Sequence, residues 1–132
     1  MLRVNRILCN ILATALEFAT PAVGGTVGAW LNYNGDNNTI RDSYNISSVT
    51  DNGTGDYTAN FTNSCANDDY SVAGQCSFTS STNDHIFSVG SYNSGYADGT
   101  DMTTSACKIR SFYSGSAMQD VEIITAIWFG DW

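Results

Sequence analysis

The stretch NISSVTDNGTGDYTANFT, residues 45–62, constrains the fold more tightly than any other part of the chain. Tyr57, Ala59 and Phe61 alternate with Thr58, Asn60 and Thr62. A period of two puts the apolar groups on one face of a strand and the polar groups on the other. Ahead of this run stand Asp51-Asn52-Gly53 and Gly55, residue types that accept the positive φ a short hairpin turn demands. Tyr57 and Phe61 are large anchors for a core. No reactive group stands out in the run, so it reads as scaffold.

The same alternation runs through the body. TVGAWLNYNG sets Ala29, Leu31 and Tyr33 against Trp30, Asn32 and Asn34, then breaks at NGDNN. TIRDSYNISSVT places Ile40, Tyr44 and Ile46 on one side, with Val49 reached after a change of phase that a bulge would supply. YSVAGQCSF, HIFSVGSY and ACKIRSFYS follow as further strands. VEIITAIWFG differs, because Val121, Ile123, Ile127 and Phe129 share one face while Ile124, Ala126 and Trp128 load the other. A strand apolar on both faces is central in a sandwich or buried by another subunit. Val121, Ile123, Ile124, Ile127, Trp128 and Phe129 are therefore the candidate oligomer interface. Helical periodicity is confined to the N-terminal arm, and no repeat of fixed length is present. The expected fold is all-β: a small antiparallel β-sandwich-like domain over residues 26–132, preceded by an apolar arm and hinge over residues 1–25.

Composition agrees. The charged share is 14%, against an apolar share of 42%, and well below the ~25% usual in soluble domains. Polarity is carried by Asn, Ser, Thr, Gly and Tyr, which favour turns and strand faces over helix surfaces. Five Lys and Arg against thirteen Asp and Glu give a net charge of −8. That balance argues against nucleic acid and anionic membrane as partners, since both need clustered cations. Of the four cysteines, Cys9, Cys65, Cys76 and Cys107, none forms a C-x-x-C pair, which removes the usual structural zinc spacing. If Tyr57–Ser64 and Tyr70–Phe78 paired around Ala66–Asp69, Cys76 would fall opposite Ala59 and out of reach of Cys65. The expectation is reduced thiols packed as small apolar residues.

MLRVNRILCNILATALEF opens with Arg3 and Arg6, an apolar Ile7–Leu16 stretch and Ala13-Thr14-Ala15, which imitates a cleavable leader. Asn10 interrupts that apolar core, and the stretch is too short to span a bilayer. It reads better as an arm that docks on a partner surface through Ile7, Leu8, Ile11, Leu12 and Leu16. Pro21 and Gly24-Gly25 make a hinge into the body.

Catalytic chemistry finds little purchase. His85 is the single histidine, and its neighbour Asp84 would point to the opposite face of a strand. Asp68-Asp69 and Asp98–Asp101 can be written as carboxylate pairs for glycoside cleavage, but so can any two loop acids. DNGTGD and DGTD only faintly resemble calcium loops, without the bidentate Glu or the glycine spacing. No phosphate-cradling glycine motif is present. The expectation is a non-enzymatic protein without metal or cofactor. Tyr92, Tyr96, Phe112, Tyr113 and Trp132 offer ring faces for a sugar, or equally for subunit contacts, where Tyr and Trp are enriched.

The runs AWLNYNG, Ile40-Arg41, and Asn45 to Phe61, then DDYSVAG and VEIITAIWFG, resemble a domain of tailed-bacteriophage tail-fibre and other fibre-like virion proteins. The resemblance is dense from Gly28 to Asp69 and loose from Val121 to Phe129; the cysteines fall outside it. It implies a non-enzymatic structural component, homotrimeric, exposed on the particle surface and held by its arm to other virion proteins. The Tyr92–Asp101 loop departs from the family pattern as a variable tip would, so Tyr92, Tyr96 and Asp98 are the candidate contacts to a host glycan or protein. Two alternatives stay open: a head decoration or head-fibre protein on the capsid, and a secreted lectin-like module with disulfides.

Overall fold

The computed structural model describes residues 25–79, 84–90, 101–113 and 117–132. The arm residues Ile7, Leu8, Ile11, Leu12 and Leu16, and the loop residues Tyr92, Tyr96 and Asp98, lie outside the described residues. Eight strands are described: β1 (Thr26–Asn34), β2 (Thr39–Tyr44), β3 (Ile46–Gly53), β4 (Asp56–Phe61), β5 (Ser71–Ser77), β6 (His85–Val89), β7 (Ala106–Tyr113) and β8 (Ile123–Gly130). They form two four-stranded sheets, ordered β2-β1-β8-β5 and β3-β4-β7-β6, and every pairing between them is antiparallel. The described residues form an all-β sandwich.

Alternation decides which side chains meet between the sheets. Ala29, Leu31 and Tyr33 of β1 face Tyr57, Ala59 and Phe61 of β4, with Cys107 and Ile109 of β7 and Ile124, Ala126 and Trp128 of β8 filling the middle. The aromatic rings interlock edge to face: Tyr33 on Tyr57 at 5.2 Å, Phe61 on Trp128 at 5.6 Å and on Trp132 at 5.4 Å. That geometry sets ring edges against ring faces, as their quadrupoles prefer. Trp132 closes the end of the core. Its indole lies where a Cβ at Gly28 would stand, and its Nε1 donates to the Asn63 carbonyl at 3.0 Å. A sugar-facing role for Trp132 is thereby corrected, since its ring packs on Phe61 and Tyr70.

The 45–62 hairpin forms as β3 and β4. Gly53 and Gly55 both take positive φ, at 133° and 67°, and Gly53 N donates to the Asp51 carboxylate at 2.9 Å. At Gly55 a side chain would also meet Ser111 O at 2.5 Å.

Two sequence expectations are corrected here. Ile40, Tyr44 and Ile46 do not share a face. The chain leaves the first sheet at Asn45, whose φ is 56°, and enters the second with Ile46. A register shift between Asn32 and Tyr33 already sends Ile40 inward while Tyr44 stays out, 58% exposed. Nor do the 57–64 and 70–78 segments pair, because β4 and β5 belong to different sheets. Cys107, not Cys76, stands opposite Ala59. Cys65, Cys76 and Cys107 are free and buried, and burial pushes the thiols of Cys76 and Cys107 above their ordinary range.

Candidate functional site

The outer face of the second sheet is polar over β3 and β4, with Ile86 of β6 standing 53% exposed at the far edge. On the second sheet, Thr50, Ser48, Thr58 and Asn60 bond to one another. Asn60 Nδ2 reaches Ser48 Oγ at 3.1 Å and Thr50 Oγ1 at 3.0 Å, and Asn52 Nδ2 reaches Thr58 Oγ1 at 2.9 Å. Side chains that satisfy each other on a wet face have little to offer a partner.

The first sheet is built otherwise, and its register assembles rows that run across the strands. Tyr44 of β2 pairs with Trp30 of β1, Trp30 with Ile127 of β8, and Ile127 with Ala73 of β5. Two residues along each strand, Asp42, Asn32, Thr125 and Gln75 form the next row. On the other side Val27, Phe129 and Ser71 make a third. A register shift between Val27 and Ala29 lets Val27 and Trp30 both face outward, which an even alternation would forbid. Val27 is 43% and Phe129 41% exposed. An aromatic and aliphatic band thus lies beside a line of short polar side chains.

Between them is a shallow depression of about 450 Å³, lined by Trp30, Asn32, Ala73, Gln75, Thr125 and Ile127. Ala73 leaves the space, and Trp30 and Gln75 rise beside it. The Asn32 side-chain oxygen Oδ1 is shielded from solvent and has no hydrogen-bond partner among the described residues. A polar atom in that state costs about 1–3 kcal/mol. The lining carries no Lys or Arg; Arg41, at the bulge in β2, is spent on the Glu122 main-chain oxygen.

The residues singled out in the sequence are scattered. Val121, Ile124 and Trp128 are enclosed by the chain's own core, so they are not surface for a second subunit; this corrects half of the expected interface. Ile123, Ile127 and Phe129 lie on the outer face of β8. His85 stacks on Phe78 at 6.2 Å, and its Nε2 has no hydrogen-bond partner among the described residues. Asp51 and Asp56 are occupied by Gly53 N and Arg110, which is turn and ion-pair chemistry. No group of three or more His, Cys, Asp or Glu able to hold a metal is found among the described residues.

Trp30, Tyr44, Asn32 and Gln75 escaped the sequence reading as site residues. A Trp at the outward position of β1, where a solvated strand would carry Thr or Ser, was the available signal. No family model, curated protein or solved structure matches the chain.

Proposed function

We propose that the chain is a non-enzymatic recognition module of the fibre-like class, a structural component exposed on a tailed-bacteriophage particle that contacts the host surface. The observation that carries the reading is the outer face of the first sheet, where the row of Tyr44, Trp30 and Ile127 lies beside the row of Asp42, Asn32, Thr125 and Gln75. Such a face is a contact surface, not a reaction centre. The resemblance of Ala29–Gly35 and Asn45–Phe61 to fibre domains supplies the biological setting.

The arm that precedes the sandwich serves attachment to other virion proteins. It joins β1 at Thr26, beside the Val27–Phe129 pair, so the exposed apolar end of the face suits assembly while the Trp30–Tyr44 band is left for recognition. Homotrimer formation through Val27 and Phe129 belongs to the same reading.

Immunogold labelling of intact particles, with antibody raised against the full chain, tests it. Label on tail fibres is the expected result. Label on the capsid transfers the chain to the head-decoration class, and particles free of label overturn the reading.

A further inference from the structure

The Trp30–Tyr44 band and the polar row beside it are complementary to one class of ligand. A pyranose presents an apolar ring face and a rim of hydroxyls, and it needs a flat aromatic surface with hydrogen-bonding groups at its edge. Trp30 and Tyr44 are direct cross-strand partners, and Ile127 extends the same row. The Cβ atoms of such opposed residues stand ~5 Å apart, which sets both rings on one face of the sheet. Asp42, Asn32, Thr125 and Gln75 lie about 7 Å further along the strands, one pleat repeat away. A ring stacked on the platform puts its hydroxyls over that row. The row offers carboxylate, amide and hydroxyl groups, hence both donors and acceptors. The Asn32 side-chain oxygen Oδ1, unpartnered among the described residues, gains a donor when the amide turns toward a hydroxyl in the depression.

Two other occupants fit less well. Single-stranded nucleic acid also stacks on aromatic rings, but its phosphates need cations, and the depression has none. The same argument disfavours sulfated or sialylated glycans, with Asp42 on the rim and a chain net charge of −8.

We infer that the outer face of the first sheet is a binding subsite for a neutral oligosaccharide, with Trp30 and Tyr44 as the stacking platform and Asn32, Gln75, Thr125 and Asp42 reading its hydroxyls. This rests on the proposed recognition role and names the ligand class for it.

Titration calorimetry on the full chain tests the inference, using a panel of neutral hexose and N-acetylhexosamine oligosaccharides alongside sialylated and sulfated counterparts. At least one neutral member is expected to saturate the protein with Kd below about 1 mM. Trp30→Ala and Tyr44→Ala should each weaken that binding about tenfold or more. Because Trp30 is half-buried and its removal can disturb the sheet, exposed Gln75→Ala serves as the second variant. It should weaken binding several-fold with its melting temperature unchanged. Absence of saturation across the neutral panel overturns the inference, as does preference for the charged members or unaltered binding by Tyr44→Ala and Gln75→Ala. The outcome separates from that of the particle-labelling experiment. Label on fibres without sugar binding removes the ligand class alone, whereas sugar binding by a chain missing from particles removes the virion setting alone.

Discussion

The Tyr57 hydroxyl donates to the Asp120 carboxylate at 2.6 Å, joining residues 63 apart in sequence. The acceptor, Asp120 Oδ1, also takes a bond from Gly55 N at 2.7 Å. One carboxylate therefore holds both the tight turn of the β3–β4 hairpin and the first core aromatic after it. It sits just ahead of Val121, whose carbonyl accepts from Gly35 N at 2.9 Å. The two sheets are tied at this end by polar bonds as well as by packing.

Tyr57→Phe removes one of these bonds without opening a cavity. A hydrogen bond to a charged group contributes about 1.5–3 kcal/mol, and chemical denaturation of the variant should show a loss in that range. Asp120→Asn keeps an acceptor for both donors and should cost less. Equal losses for the two variants would mean that the carboxylate's charge, not the Tyr57 bond, carries the stabilisation.

Alkaline pH should unfold the protein in a defined window. Burial, then the carboxylates of Asp51 and Asp120, pushes the Tyr33 phenol up to about 12. Burial raises Tyr57 and Tyr70 further, helped by the Asp120 bond in the first and by Cys107 in the second. In the unfolded chain these phenols ionise near 10, so above that pH the unfolded state gives up protons that the native state retains. Stability should be complete below pH ~10 and fall as the pH rises toward 12. Ultraviolet titration checks this directly. Three of the seven tyrosines should ionise late and together with loss of the fold; all seven ionising near 10 in a folded protein would contradict it.

What the sequence made legible was the inside of each strand. Ala29, Leu31 and Tyr33 are all buried, as are Tyr57, Ala59 and Phe61, because strict alternation ties side-chain direction to position. It could not reveal how strands were divided between sheets. That division turns on Asn45, one residue with positive φ, which looks like any other polar residue in a strand-rich stretch. The rows of the recognition face were hidden for a related reason. They depend on register, and register shifts at Gly28 and Arg41 place Val27 with Trp30 and Tyr44 with Trp30. Periodicity within a strand carries no information about its neighbour's offset. The doubly apolar pattern of β8 was read as that of a strand central in a sandwich or buried by another subunit; β8 is central, between β1 and β5, and of its apolar residues Ile123, Ile127 and Phe129 face outward.

Asn45 itself is testable. Its Nδ2 donates to Gly28 O at 2.9 Å and to Asn63 O at 3.1 Å, and its Oδ1 accepts from Asn63 N at 2.8 Å. Asn45→Ala loses these bonds and places a Cβ residue without local compensation at positive φ. Each bond contributes about 1 kcal/mol, and the backbone conformation adds roughly 1–2 kcal/mol. Asn45→Gly loses the bonds but adopts the conformation freely. Denaturant midpoints should therefore fall in the order wild type, Asn45→Gly, Asn45→Ala. A reversal of the two variants would show that the turn does not depend on the left-handed conformation.

The last prediction concerns assembly. Val27 and Phe129 are cross-strand partners at the end of the recognition face, each more than two-fifths exposed. A pair this apolar, on a chain of net charge −8, is an attractive patch on a mutually repelling surface. If it serves the trimer, light scattering of the full chain at micromolar concentration should report three copies, and Val27→Glu with Phe129→Glu should yield monomers. Both positions are at the surface, so the double variant should keep its melting temperature to within the concentration-dependent part that self-association contributes. A wild-type chain that is monomeric under these conditions retires the trimer and leaves the pair free for another virion protein. A trimer undisturbed by the two glutamates would place its contacts elsewhere and leave the whole outer face open to ligand.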